Sequence, residues 1–386
     1  MKEIVLFITD FFGPNPGGIE NFHTGILEKW INDEIILICF DNFFYFDQKD
    51  LENFNKNIRH KFYRFFIKEK NYFSKRDNVK DFIKVFEELK KNYKIKHIIL
   101  GNASLTTRLI IPFILDSEIP YSIILHPIDL EILSFYNWNL IKWIRKAKQV
   151  FVYTKHFYEI AQIKGIPRDI LVQIPYGLYT IWEQNHLKVS KELKEKVSEN
   201  KTKFKILTMG PLTKTKRIER VFSILENLKK KIDLNMIHWY IVGTGSEYHY
   251  LKEMINIYKL NSVVSLTGLL NHREVGYMYY HSDLYYHPGG KDNDLFSGFC
   301  TTILEASYSS LPIVSGSGAG IEELIQNNYS GFILPNEEYS GISEKILELI
   351  QDSNLRKRIG QMAEDRVLRE FSIERSVQSI FERIYI

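Results

Sequence analysis

Residues 2–30 read KEIVLFITDFFGPNPGGIENFHTGILEKW. An unbroken apolar run, Ile4–Thr9, comes first. A turn dense in glycine and proline follows, Gly13–Gly18, and then a segment with helical spacing of apolar residues, Ile19–Trp30. A short apolar run without polar alternation suits a strand buried on both faces, and a strand that feeds a helix through a glycine turn is half of a βαβ unit. The same grammar continues outward from it. Apolar runs at Ile35–Phe40, His97–Leu100, Tyr121–Leu125, Gln149–Tyr153 and Leu171–Ile174 alternate with helix-period segments at Val79–Asn92, Thr106–Leu115, Trp138–Ala147 and His156–Lys164. This alternation predicts a parallel sheet covered by helices.

The rhythm breaks between Tyr176 and Lys203, where only polar helix-forming residues occur, and then starts again. Strands are expected at Phe204–Met209, Ile237–Val242, Val263–Leu266, Leu284–His287, Pro312–Ser315 and Gly331–Leu334, and the last fifty residues read as all-helical. The chain therefore reads as α/β with two doubly wound Rossmann-like domains. These are 1–176 and 204–370, joined by a linker, 177–203, and followed by a C-terminal helix, 371–386, able to return to the first domain. At 386 residues the length fits two to three domains of about 150 residues.

Composition narrows the classes. Hydrophobic residues at 45% and charged residues at 25% exclude a disordered chain, a collagen-like chain and a disulfide scaffold. The balance of 51 Lys and Arg against 47 Asp and Glu is too even to imply nucleic acid, and no nucleic-acid partner is expected. Cys39 and Cys300 are the only cysteines and lack metal-type spacing, which fits a reducing compartment. The apolar start, Ile4–Ile8, is too short for a signal peptide, and no window approaches the ~20 apolar residues of a membrane span. A cytoplasmic protein is expected.

Several motifs carry chemistry. In Gly13-Pro-Asn-Pro-Gly-Gly18, glycines at a strand-to-helix turn let backbone approach a phosphate, although any tight turn uses the same residues. Ile241-Val-Gly-Thr-Gly-Ser-Glu247 resembles a dinucleotide fingerprint but has Tyr248 where the third glycine belongs, so a βα turn near a ligand is the better reading. Asp292-Asn-Asp294 could hold a divalent metal, or could be a solvated loop. In Ser297-Gly-Phe-Cys-Thr-Thr-Ile-Leu-Glu-Ala306 a loop leads into a helix whose first turn, with Thr301 and Thr302, can bind an anion. Glu305, one turn on, could accept two ribose hydroxyls. Lys214-Thr-Lys-Arg217, after the strand Phe204–Met209 and Gly210, would neutralise a diphosphate, or is plain surface charge.

Here a resemblance becomes specific. The stretches MGPLTKTKRIERVFSIL, WYIVGTGSEYHYLKEMI, VSLTGLLNHREVGYMYYHSDLYYHPG, SGFCTTILEASYSSLPIVSGSGAGIEELI and NNYSGFILP, in this order across residues 208–335, are similar to the retaining glycosyltransferases of family 4, the glycosyltransferase group 1 type. The first half is similar more loosely, through GPNPGGIENF, His126, RKAKQVFVYTKHF and VQIPYGLY. The resemblance implies a GT-B fold of two facing Rossmann-like domains. It implies that Gly17 and Gly18 approach the donor diphosphate, that His126 lies near the sugar or acceptor, and that Lys216 binds the diphosphate. Glu305 would hold the ribose, and Ser297, Gly298, Phe299, Cys300 and Thr301 would form the loop against donor sugar and phosphate. Gly210, Lys214, Arg217, Gly243 and Leu269 complete the implied donor set, with His126 and Lys216 as the catalytic pair. No metal and no cofactor are implied; the nucleotide sugar is the substrate.

The chain departs from the family pattern at four places. Ser297 stands where the first motif glutamate is usual, Pro211 where an arginine is usual, Arg217 where a glycine is usual, and Tyr176 where an asparagine is usual. Arg217 or Lys214 can restore the charge lost at Pro211. A catalytically silent partner subunit of a transferase complex is the alternative that Ser297 and Pro211 leave open.

Residues Lys56–Lys96 hold 14 Lys and Arg against 5 Asp and Glu, interleaved with Phe and Tyr. Arg59, Lys61, Arg64 and Lys68 among these aromatics suit an anionic membrane surface. Base stacking is a second reading, and a solvated helix pair with inward aromatics is the plainest one. The function expected is transfer of a sugar from a nucleotide diphosphate donor to a growing glycan or lipid-linked acceptor, in bacterial cell-surface polysaccharide or lipopolysaccharide synthesis. The enzyme is expected to lie peripherally on the inner face of the cell membrane.

Overall fold

The computed structural model describes residues 1–14, 17–31, 34–41, 48–66, 72–103, 105–135, 138–180, 188–290, 300–318 and 320–385. The chain divides into two units, residues 1–179 with 371–386, and residues 180–370.

Unit 1 holds a seven-stranded sheet: β1 (Lys2–Thr9), β2 (Glu34–Asp41), β3 (Phe62–Phe66), β4 (Tyr93–Leu100), β5 (Tyr121–Ile124), β6 (Gln149–Val152) and β7 (Leu171–Gln173). The order is β3-β2-β1-β4-β5-β6-β7, with every pair parallel. Its helices are α1 (Gly18–Glu28), α2 (Gln48–Asn57), α3 (Tyr72–Asn92), α4 (Leu105–Asp116), α5 (Pro127–Phe135), α6 (Trp138–Ile144) and α7 (Lys155–Ile163). Ile4–Ile8 and Ile35–Phe40 are buried, which is why they read as continuous apolar runs. Strand order reverses between β1 and β4, and the crevice at such a switch point is where α/β sheets place ligands. The glycine turn and the start of α1 sit there.

One strand corrects the sequence reading. FYRFF lies inside the basic stretch, whose plainest reading is a solvated helix pair, yet it forms the edge strand β3. Phe65 stacks on Phe40 at 5.5 Å, and Arg64 donates to the Gly13 carbonyl at 2.7 Å with its guanidinium over the Phe12 ring. The Arg64 cation is thus engaged with the glycine turn. Arg59 and Lys61 are exposed, Lys61 lying over the rings of Tyr63 and Tyr93, and Lys68 falls outside the described residues.

Unit 2 holds a six-stranded parallel sheet: β8 (Phe204–Met209), β9 (Ile237–Val242), β10 (Val264–Gly268), β11 (Leu284–His287), β12 (Ile313–Gly316) and β13 (Phe332–Leu334), in the order β10-β9-β8-β11-β12-β13. Helices α8 (Lys191–Glu199), α9 (Arg220–Leu228), α10 (Tyr248–Ile257), α11 (His272–Tyr280), α12 (Thr301–Tyr308), α13 (Ile321–Leu324), α14 (Tyr339–Gln351) and α15 (Ser353–Glu370) cover it. Its core packs Trp239, Leu225, Ile224, Tyr286 and Ile346 between sheet and helices. Within the stretch read as a linker, α8 belongs to unit 2, and the chain passes between units at 179/180.

The last helix, α16 (Ile373–Tyr385), belongs to unit 1 and packs on α1. Ser376 donates to the Pro175 carbonyl at 2.7 Å, Lys29 pairs with Glu374 at 3.0 Å, and Trp30 meets Phe381 edge-on at 5.9 Å. Gly177 must lack a side chain here, because a Cβ would lie 2.4 Å from the Ile373 Cα. Among the described residues, no helix is long and apolar enough to cross a membrane.

Candidate functional site

In unit 1 the switch point gathers a chain of buried polar groups. His23 on α1 and His126 just after β5 are 0% and 1% exposed. The His23 Nδ1 lies 2.8 Å from the Phe11 carbonyl, so Nδ1 carries the proton and Nε2 is an acceptor. The His126 Nε2 lies 3.1 Å from that nitrogen and 2.9 Å from the Gly101 carbonyl, which makes it the donor to both. Its Nδ1 then accepts from the Tyr153 hydroxyl at 3.0 Å. Both imidazoles are neutral in this arrangement. Burial holds His23 at about 4, and burial with the neighbouring His23 ring holds His126 well below the usual imidazole range.

Asp129 on α5 accepts from the backbone N–H groups of His126 at 2.9 Å and Ala103 at 3.1 Å. Burial pushes its carboxyl up to about 7 against those two bonds. His126 therefore sits at the strand end expected from its position, with both ring nitrogens engaged by protein groups. Tyr176 has a role the sequence did not show. Its hydroxyl donates to the Gly18 carbonyl at 2.5 Å, and its ring stacks on Phe22 at 4.5 Å. A tyrosine at this position ties the glycine turn to the far edge of the sheet.

In unit 2 the residues collect at the carboxyl ends of β8, β9 and β11. Lys214–Lys216 form a 3-10 turn, with Lys214 exposed and Lys216 half-buried. Arg217 ends that turn in the left-handed region, φ 52°, which explains why a glycine is usual there, and its guanidinium pairs with Glu219 at 3.2 Å. A Cβ on Gly243 would lie 2.0 Å from the Gly210 carbonyl oxygen, so this glycine serves the close passage of two backbones. That accounts for a fingerprint-like run without a third glycine. Leu269 follows β10 and is 52% exposed.

Glu305 lies on α12, is 7% exposed, and accepts from the Tyr279 hydroxyl at 2.9 Å. Burial pushes its carboxyl up to about 7, opposed only in part by Tyr279. Cys300 is the N-cap of α12 and makes no side-chain cap, so the first turn, Thr301 and Thr302, is not closed by that residue. The Lys216 Nζ reaches the Cys300 Sγ at 3.7 Å, and the His287 Nε2 reaches it at 3.0 Å. Lys216, Cys300, Thr301 and Glu305, which come from two distant segments, are brought to one end of the sheet.

Three side chains that hold this end of the sheet carry no signal in the sequence: Tyr279, His287 and Arg220. Arg220 is 2% exposed and donates to the carbonyls of Pro288 at 2.7 Å and Gly290 at 3.2 Å, holding the end of the Pro288–Gly290 loop. No residue-type pattern distinguishes such an arginine from surface charge. Asp292, Asp294, Ser297, Gly298 and Phe299 lie outside the described residues. Among the described residues, no group of three or more His, Cys, Asp or Glu could hold a metal.

Comparison with known proteins fits this geometry. Residues 189–366 match the family described as Glycosyl transferases group 1. An uncharacterized glycosyltransferase of Methanocaldococcus jannaschii is 27% identical over 244 residues, 60% of each chain. The putative colanic acid biosynthesis glycosyltransferase WcaL of Escherichia coli K12 is 24% identical over 189 residues, 47% of this chain and 46% of that protein. The matches thus span about half the length of these curated relatives. The crystal structure of Anabaena HepE in complex with UDP superposes with a TM-score of 0.72 at 16% identity, covering 100% of both chains. Most of the second unit is thus similar to the glycosyl transferases group 1 family, and the chain has a two-unit α/β fold of the GT-B type.

Proposed function

We propose that this protein is a retaining glycosyltransferase that moves a sugar from a nucleoside diphosphate donor to a growing glycan or lipid-linked acceptor. Bacterial cell-surface polysaccharide or lipopolysaccharide synthesis is the setting in which we place it. The observation that carries the reading is the convergence of Lys216, the first turn of α12 and Glu305 at the carboxyl end of the unit 2 sheet. Each group has a chemical task there. The Glu305 carboxylate accepts hydroxyl donors, as a ribose diol offers them. Lys216 and the α12 amides meet negative charge, which grows on the diphosphate as the glycosidic bond to it breaks, and preorganised donors at that point lower the barrier.

His126 is neutral, 1% exposed and hydrogen-bonded at both nitrogens, which suits it to hold the switch point in place. A donor phosphate oxygen takes the acceptor proton in this reading. The relatives' names, with colanic acid biosynthesis in one, support a polysaccharide product, and the UDP in the Anabaena structure supports a uridine nucleotide. Arg59 and Lys61 support docking on an anionic membrane.

Calorimetry of the purified protein against UDP, GDP, ADP and their sugars, with a chelator present, tests the reading. Micromolar-range binding of one nucleotide and slow release of its sugar support it. Binding without any turnover in the presence of acceptor extract favours a silent partner subunit. No binding by any nucleotide refutes the donor site.

A further inference from the structure

Cys300 has surroundings that an ordinary buried cysteine lacks. The Gly289 N–H donates to the His287 Nδ1 at 3.1 Å, so in the neutral ring the remaining proton sits on Nε2 and points at the Cys300 sulfur, 3.0 Å away. The Lys216 ammonium approaches the same sulfur at 3.7 Å. The residue also caps the N-terminus of α12, where the helix dipole favours an anion. Two donors and a helix end converge on one thiol, the pattern that activates cysteines. Tyr279 and Tyr285 also face it, and burial keeps both phenols neutral; Glu305 lies one turn along α12. Burial pushes the Cys300 thiol up, but His287 and Lys216 overcome that and bring it to about 6. The chain's other cysteine supplies the contrast: Cys39 is 0% exposed inside β2, between Ile38 and Phe40.

We propose that Cys300 is a reactive, ionised thiol and a modification site for low-molecular-weight disulfides, and that its modification shuts the diphosphate pocket. The second half rests on the reading of Lys216 as a diphosphate ligand. In the exchange, the Cys300 thiolate attacks one sulfur of the small disulfide. A Cys300–S–S–R bond forms as the reagent's own S–S bond breaks, and the other half leaves as a thiolate that takes a proton from water. Excess small thiol reverses it. Cys300 is 6% exposed, so a compact, neutral reagent is the one that fits. The coupling runs both ways. A diphosphate on Lys216 brings like charge beside the sulfur and favours the protonated thiol, while a thiolate on the sulfur disfavours diphosphate.

The test treats the intact protein with 2-hydroxyethyl disulfide, and separately with iodoacetamide, from about pH 5 to about pH 9, and reads both cysteines by peptide mass spectrometry. The expected result is Cys300 labelling with a midpoint near pH 6, Cys39 at least about a hundredfold slower, and protection of Cys300 by saturating UDP. Lys216→Met should move the midpoint upward. Equal slow labelling of both cysteines, or a Cys300 midpoint at the ordinary thiol value of about 8.5, overturns the reactive thiol. Calorimetry of Cys300→Ser with UDP separates the two ideas. If UDP binds while native Cys300 is inert, the inference fails and the donor site stands. If Cys300 is reactive at low pH but UDP neither binds nor protects, the donor site fails, and the gating role falls with it.

Discussion

Glu305→Gln is expected to make the empty protein more stable at neutral and alkaline pH while crippling nucleotide binding. The carboxyl is buried on α12 and its titration is pushed from 4.5 to about 7, with burial as the main cause. Folded protein therefore holds a proton at Glu305 that the unfolded chain has lost between about pH 4.5 and pH 7. Stability falls through that window as pH rises, the opposite of an ion-paired carboxylate. At 1.36 kcal/mol per unit, the ionised group costs about 3 kcal/mol above pH 7. Glutamine keeps the shape and the carbonyl acceptor for Tyr279 and removes the charge. Scanning calorimetry of both proteins should give nearly equal Tm near pH 4.5 and a gap that opens to several degrees by pH 8, at about 2–4 °C per kcal/mol for a unit of this size. In parallel, in a Cys300→Ser background that removes the competing thiolate, UDP affinity should rise from about pH 6 to about pH 8 as the carboxylate forms, and adding Glu305→Gln should abolish both the affinity and its pH dependence. Parallel Tm curves across the range would refute the assignment of a costly buried charge.

Lys216→Met should weaken UDP binding by about 1.5–3 kcal/mol, the scale of a charged hydrogen bond, as read by calorimetry. Tyr176→Phe removes the hydroxyl bond to the Gly18 carbonyl, and should cost about 1 kcal/mol and speed amide exchange at the start of α1. Arg217→Gly relieves a left-handed arginine worth about 1–2 kcal/mol while losing an ion pair worth about 0.2–1 kcal/mol, so urea unfolding should show a small net gain. The protein should sediment with anionic vesicles at low salt and not with neutral ones. Reversing Arg59 and Lys61 to Glu should release it without loss of Tm, whereas Arg64→Glu should lower Tm, since Arg64 holds the Gly13 carbonyl.

The parallel sheets were legible because their strands are buried on both faces, and such strands must be written in continuous apolar residues. Phe62–Phe66 escaped because an edge strand needs only one good face. Its Arg64 and the flanking Lys61 gave the segment the look of a charged surface. Glu305 and Lys216 were legible as residue types at strand-to-helix junctions. Their neighbours were not: Tyr279 reaches Glu305 from another helix, and His287 reaches Cys300 from a strand end thirteen residues away, a distance with no periodic signature. Tyr176 looked like a loss of the family's asparagine, and only its placement against Phe22 and Gly18 shows a substitute brace.

The position of α16 sets the order in which the two halves can mature. Unit 2 is one uninterrupted stretch of chain, whereas unit 1 borrows its final helix from the far side of that stretch. During synthesis the second half can close while the first still lacks the cover on α1, with Trp30 and Gly25 waiting for residues near Phe381 and Ile373. Completion of unit 1 is thereby expected to wait for its last helix, against the usual amino-to-carboxyl order. A chain ended after residue 370 would carry a finished second unit and leave an apolar stripe on α1 open to chaperones.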